Sequence, residues 1–158
     1  MNFANHSYWN LDGAPTWAGH RLWVDAPYFL PTTADFTPTG EMRPVEEGGM
    51  DFRKTRRIDP GTNAFDTCFC LSDEPAPLRE VLRLNGQSGI GMAVSTTEPG
   101  IQVYDGRNAF RPGKRAYEGL AIEAQGWPDA PNHAGFPSIL LEPGGEYRQH
   151  TVWRFTRG

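Results

Sequence analysis

Glycine and proline interrupt this chain so often that only short extended segments survive between them. Its 18 glycines and 14 prolines make up more than a fifth of 158 residues, and they are scattered rather than gathered in one low-complexity block. Glycine costs a helix interior about 1 kcal/mol and proline about 3. No amphipathic helix longer than two turns can be drawn through such punctuation. Strands of four to eight residues fit between the breaks, so the pattern predicts an all-β antiparallel sandwich or barrel.

The extended segments can be placed one by one. Residues 20–24 and 28–30 read as short strands, and residues 44–61 as a polar loop with a short ordered piece. Residues 64–71 alternate well enough for a strand, which Pro75-Ala76-Pro77 separates from the next at 78–84. Asn85-Gly86 predicts a tight hairpin into residues 90–97. Residues 101–104, 120–125, 138–142 and 146–155 complete the set. In residues 120–125 a period of two puts Leu120, Ile122 and Ala124 on one face and Ala121, Glu123 and Gln125 on the other. With no linker and no internal repeat, residues 1–158 read as one domain.

Charge narrows the function classes. Fifteen basic against 19 acidic side chains give a formal net charge of -4, and no long positive run offers a footprint for nucleic acid. No segment approaches the roughly 18 apolar residues of a membrane helix, and the first six residues carry no signal-peptide pattern. Cys68 and Cys70 share a strand face, a poor geometry for bonding to each other. They read as reduced, buried thiols of a cytoplasmic protein. A lone C-x-C lacks the second pair of a zinc knuckle, and His20, His133 and His150 have no ligand-like spacing, so no metal is expected. Serine-hydrolase, P-loop and dinucleotide motifs are missing as well.

What chemistry remains is polar and local. Glu123 and Gln125 share a strand face just before Trp127. A carboxylate and an amide can hydrogen-bond hydroxyls while an aromatic plane covers C–H surface, which makes a plausible sugar-binding wall. A strand carboxylate can equally be a solvated group. His6, between Asn5 and Ser7, and Asp66, between Phe65 and Thr67, are the other titratable groups in suggestive surroundings.

Taken in order, Asn5-His6-Ser7-Tyr8-Trp9-Asn10-Leu11, Thr96-Thr97-Glu98-Pro99-Gly100-Ile101-Gln102-Val103-Tyr104, Ile122-Glu123-Ala124-Gln125, Trp127-Pro128-Asp129-Ala130-Pro131-Asn132 and Leu141-Glu142-Pro143-Gly144-Gly145-Glu146-Tyr147 resemble the successive signatures of aldose 1-epimerases, the galactose mutarotase family. Each signature alone is weak; the shared order carries the resemblance. It implies an antiparallel β-sandwich of the galactose-mutarotase, or supersandwich, type. It implies cofactor-free interconversion of the α and β anomers of a free aldose, with Glu123 as base and His6 as acid. Asp66, Gln125, Trp127 and Asn5 would contact the sugar. Phe65-Asp66-Thr67-Cys68-Phe69 departs from the family's usual Y-D-H-N-F, keeping the aspartate but not its two neighbours. Family members are about twice as long, so the resemblance covers their C-terminal half. An incomplete sandwich exposes apolar edges, so a homodimer, a separate partner chain or the remainder of a longer protein is expected to cover them. A carbohydrate-binding or regulatory module, or another isomerase or lyase using the same cleft, are the alternative functions.

Overall fold

The structure, a computed structural model, describes every residue except Asn63, Phe110, Arg111 and Lys114. The described residues form eleven strands and a single turn of 3-10 helix. A six-stranded sheet runs in the order β1 (Tyr8–Trp9), β10 (Leu120–Gln125), β9 (Gly100–Tyr104), β6 (Asp66–Cys70), β3 (Tyr28–Leu30), β4 (Arg43–Pro44). A five-stranded sheet runs β11 (Thr151–Arg157), β8 (Ile90–Thr96), β7 (Arg79–Asn85), β2 (Arg21–Val24), β5 (Arg56–Arg57). Every pairing is antiparallel, as the glycine and proline spacing predicts.

Alternation along the strands builds the core. Phe69 of β6, Ile101 and Val103 of β9, and Leu120 and Ile122 of β10 meet Leu22, Leu82, Leu84, Met92 and Val94 of the second sheet. Trp17, Phe52 and Phe65 fill the ends of this layer from connecting segments and are fully buried. The Trp17 indole N–H donates to the Asp105 carbonyl at 2.9 Å, so its one polar atom is satisfied inside the core. Losing an aromatic of this kind to alanine typically costs about 3–5 kcal/mol. A second, smaller apolar cluster lies on the other side of the six-stranded sheet, where Leu30, Cys68 and Cys70 pack under Trp127, Ala130 and Phe136.

Three expectations are corrected. The β7–β8 connection spans residues 86–89 rather than a two-residue turn. Its tip is occupied elsewhere: the Ser88 N–H donates to Asp12 Oδ1 at 2.8 Å, and Ser88 Oγ donates to the Leu11 carbonyl at 2.8 Å. Residues 138–142 are not a strand, because none of the described strands pairs with them; Leu140 stays 79% exposed. The last strand begins at Thr151 rather than 146, since its partner β8 ends at Thr96. Beyond that point the His150 N–H donates to the Thr97 side-chain oxygen at 3.0 Å instead of its carbonyl, which interrupts the ladder. Strand β7 also carries a bulge at Val81, which is buried and accepts the Asp25 N–H through its carbonyl at 2.9 Å.

Behind the N-terminal segment, His20 is completely buried. Its Nε2 accepts the Leu11 N–H at 2.9 Å, so the neutral ring carries its proton on Nδ1, which faces Asp12 Oδ2 at 3.5 Å. Burial lowers the affinity of His20 for a second proton, and Asp12 opposes that effect. Together with the Ser88 bonds, this pair fixes the chain directly after β1.

Gly106, two residues after β9, has φ 73, and a Cβ there would lie 2.7 Å from the Gly119 carbonyl oxygen. Gly49 has φ 68 with open space around it. A left-handed L-residue costs roughly 1–2 kcal/mol, so Gly49→Ala should lose about that much in chemical denaturation. Gly106→Ala should lose distinctly more, because backbone must also move.

Candidate functional site

Because Leu120 and Ile122 of β10 enter the core, the residues between and after them turn to the opposite face of the six-stranded sheet. Antiparallel register then fixes what lies beside them. Glu123 pairs with Gln102 of β9, and Gln102 with Cys68 of β6. Two residues along, Ala121, Tyr104 and Asp66 form the next row, with Tyr8 of β1 beside Ala121. The four strands therefore gather Glu123, Gln102, Asp66, Tyr104 and Tyr8 on one patch.

His6 reaches the patch from the segment preceding β1. That segment is anchored at Asn2, whose side chain accepts the Gly126 N–H at 2.8 Å and donates to the Gly126 carbonyl at 3.2 Å. The His6 ring packs against Tyr8, centroids 5.1 Å apart, and Tyr8 meets Tyr104 edge-on at 6.3 Å. His6 Nε2 thereby lies 3.5 Å from Glu123 Oε1. The histidine side chain is 53% exposed and the glutamate side chain 10%. The imidazole thus lies on the open side of a largely buried carboxyl.

The electrostatics follow from that burial. Burial pushes the Glu123 carboxyl above its ordinary pKa; nearby His6 pulls it back, and Asp66 reinforces the rise. Asp66 is likewise raised by burial, while the Gln102 amide, donating at 2.8 Å, and the Arg107 charge act against it. Gln102 Oε1 is buried with no hydrogen-bond partner among the described residues. Arg107 is itself held by Asp105 at 2.8 Å and by the Phe65 carbonyl at 3.0 Å. Burial pushes the Cys68 thiol well above its usual range and that of Cys70 up to about 12. Neither is a thiolate nucleophile at neutral pH. The patch is equipped to move protons and to hydrogen-bond hydroxyls. Among the described residues, no group of three or more His, Cys, Asp or Glu could hold a metal ion.

The six residues singled out from sequence fall in different places. His6, Glu123 and Asp66 come together. Gln125 shares their face but pairs with Gly100, one row beyond Glu123 and on the side away from Asp66. Asn5 turns its side-chain oxygen to the Ser7 N–H at 3.1 Å and borders a separate cavity of about 250 Å³ with Ala124, Gln149, Thr151 and Trp153. Trp127 is only 2% exposed. Its indole donates to the Pro99 carbonyl at 3.0 Å and its ring packs edge-on against Phe136, leaving no open face for stacking. Its aromatic mass builds the wall beside Cys68 instead. Tyr8, Gln102 and Tyr104 were within reach of sequence reasoning only as unassigned parts of longer motifs. The missing signal was the register that sets β9 and β1 against β10.

With this geometry in hand, comparison with known proteins is direct. The family model for aldose 1-epimerase matches residues 1–154. Galactose mutarotase from Homo sapiens is 36% identical over 167 residues, covering 97% of this chain and 48% of the relative. Aldose 1-epimerase from Streptococcus thermophilus is 32% identical, covering 91% of this chain and 45% of the relative. A GalM/aldose epimerase homologue from C. elegans superposes with a TM-score of 0.90 at 32% identity, covering 99% of this chain and 51% of that one. A galactose 1-epimerase from Lactobacillus acidophilus gives 0.76 at 28% identity, covering 100% and 49%. The sandwich is thus of the galactose-mutarotase type, and the chain spans about half the length of the relatives it matches. It belongs to the aldose 1-epimerase family.

Proposed function

We propose that this sandwich, residues 1–158 acting as one unit, serves the interconversion of the α and β anomers of a free aldose. The observation that carries this reading is the 3.5 Å approach of His6 to Glu123. In a cyclic aldose O1 and O5 are both bonded to C1, so a base for one and an acid for the other must be close neighbours. Glu123 takes the proton from the C1 hydroxyl while His6 gives one to the ring oxygen. The C1–O5 bond breaks and the O1 electrons form the aldehyde. Rotation about C1–C2 presents the other face, and the same two transfers in reverse close the ring. Each proton is returned, oxidation levels are unchanged, and the chemistry calls for no cofactor.

The surroundings support these roles. A base is most effective when its pKa approaches the working pH, and burial moves Glu123 in that direction. Asp66 and Gln102, the latter with its unpartnered Oε1, supply hydroxyl contacts beside the pair. Gln125 and Asn5 flank it, and Trp127 shapes the wall. The buried, reduced Cys68 and Cys70 favour a cytoplasmic setting. A second copy, a partner chain or the remainder of a longer protein covers the open side of the sandwich in the working unit. A second reading is favoured by the exposure of His6 and by the half-length match to relatives: a module that binds a sugar without turning it over.

Polarimetry of freshly dissolved α-D-galactose and α-D-glucose separates the two. Catalysis requires rates above buffer, with Glu123→Gln and His6→Asn each losing about 10²–10⁴-fold. Sugar binding detected by calorimetry, with rates equal to buffer, would leave only the binding module. Stability offers an independent check on Glu123. A carboxyl whose pKa is raised by folding contributes stability below its unfolded pKa, about 4.3, and loses it as pH rises through the folded value. Denaturation of Glu123→Gln should therefore show a gain over the natural protein at pH 7 that shrinks toward pH 4. An unchanged difference across that range would show that the carboxyl carries no burial penalty.

A further inference from the structure

Strand β9 runs from the patch straight into a turn that grips it. Asp105 follows Tyr104 and is buried, yet each of its polar groups is engaged. Its N–H donates to the Phe65 carbonyl at 3.0 Å, and its own carbonyl accepts the Trp17 indole. Its carboxylate holds Arg107 through both oxygens, accepting from Nε at 2.9 Å and from a terminal guanidinium nitrogen at 2.8 Å. The same terminal nitrogen donates to the Phe65 carbonyl at 3.0 Å. That carbonyl belongs to the peptide bond leading into Asp66. Asn108, next along, donates its N–H to the Tyr104 hydroxyl at 2.9 Å, and Tyr104 faces Asp66 across the strands. Residues 105–108 thus hold both Asp66 and Tyr104.

Stability does not call for this arrangement. An ion pair drawn out of water recovers little beyond its desolvation cost, and packed apolar residues of similar volume often serve as well. Nor does the Phe65 carbonyl need Arg107, since the Asp105 N–H already satisfies it. What the guanidinium adds is a fixed charge. The groups acting on the Asp66 carboxyl are Gln102, Arg107, Asp105 and His6, with Glu123 in the adjoining row. Of the two basic groups, the imidazole lies on an exposed arm and changes charge near neutral pH. Arg107 keeps its charge throughout and is braced by Asp105.

We infer that Arg107 is a positioning residue for the patch: it holds the peptide bond before Asp66 and keeps a permanent positive charge near that carboxylate, so that Asp66 accepts hydrogen bonds from a sugar hydroxyl. The inference rests on the reading that the patch binds an aldose, and it gives Arg107 no chemical step of its own. An ionised carboxylate only accepts, whereas a protonated one spends an oxygen as donor. Burial drives Asp66 toward the protonated form, and Arg107 opposes that drift.

Removing Arg107 alone would leave Asp105 buried and unpaired, so the informative comparison is D105N against D105N/R107Q, which differ only at the guanidinium. Carbon NMR of aspartate-labelled protein, assigned with D66N, follows the Asp66 carboxyl directly. D105N removes a neighbouring negative charge and should bring the Asp66 midpoint below that of the natural protein. D105N/R107Q should bring it back above that of D105N. D105N/R107K, which keeps the charge but not the planar fork, should stay near the D105N midpoint. Calorimetry with D-galactose should find D105N/R107Q weaker than D105N by about tenfold or more, with the lysine variant in between. Coincident Asp66 midpoints in D105N and D105N/R107Q would overturn the inference, as would equal affinities. These readouts stand apart from turnover. Midpoints and affinities that behave as stated, without mutarotation, remove the catalytic reading only. Turnover together with an Asp66 midpoint blind to Arg107 removes this inference only.

Discussion

The pairing of β10 with β9 is the constraint on which the rest of the site depends. Ile122 faces Val103 and Glu123 faces Gln102, so the same register that closes the core also raises the carboxyl on the opposite face. A slip of one residue would exchange the faces and drive Glu123 into the apolar layer occupied by Ile122. Burying an unpaired carboxylate there costs far more than any single hydrogen bond returns. Core packing therefore enforces the position of the site, and both faces of β10 are covered.

That coverage sets the electrostatic character of the patch. Glu123 and Asp66 are both raised by loss of solvent; the Asp66 charge raises Glu123 further, and Asp105 does the same to Asp66. His6 and Arg107 compensate from opposite sides, one on an exposed arm, the other locked by Asp105 and the Phe65 carbonyl. The wall of Trp127 and Phe136 packs over Cys68, which lies in the row of Gln102 and Glu123.

Much of this was readable from residues alone, and the boundary is physical. Alternation in residues 120–125 assigns Glu123 to its face because period two is a local property. The β7–β8 connection was not readable, since Asn85-Gly86 favours a tight turn locally while Asp12 and Leu11, distant in sequence, capture Ser88. Residues 138–142 have strand-like composition without a strand to pair with. Trp127 looked like an exposed platform because its burial comes from Phe136 and Pro99, which no local pattern ties to it. The departure at Thr67-Cys68 was visible, but only the fold shows Cys68 beneath the Trp127 wall, in the row of Gln102 and Glu123.

The anchoring of the N-terminal arm has a consequence for how the protein reaches its working form. Asn2 is tied to Gly126 across 124 residues, Asn10 to the Glu118 carbonyl across 108, and Asp12 to Ser88 across 76. Closing loops of this length carries the largest entropic cost in the molecule, and contacts so distant in sequence slow folding. The β7–β8 hairpin and the β9–β10 pair close over far shorter stretches. A chain that has completed those pairings already presents Glu123 on its face, yet lacks His6 until the arm is captured. If closures form in order of their sequence separation, His6 meets Glu123 only with the longest of them, and a molecule trapped short of it carries the carboxyl without its imidazole.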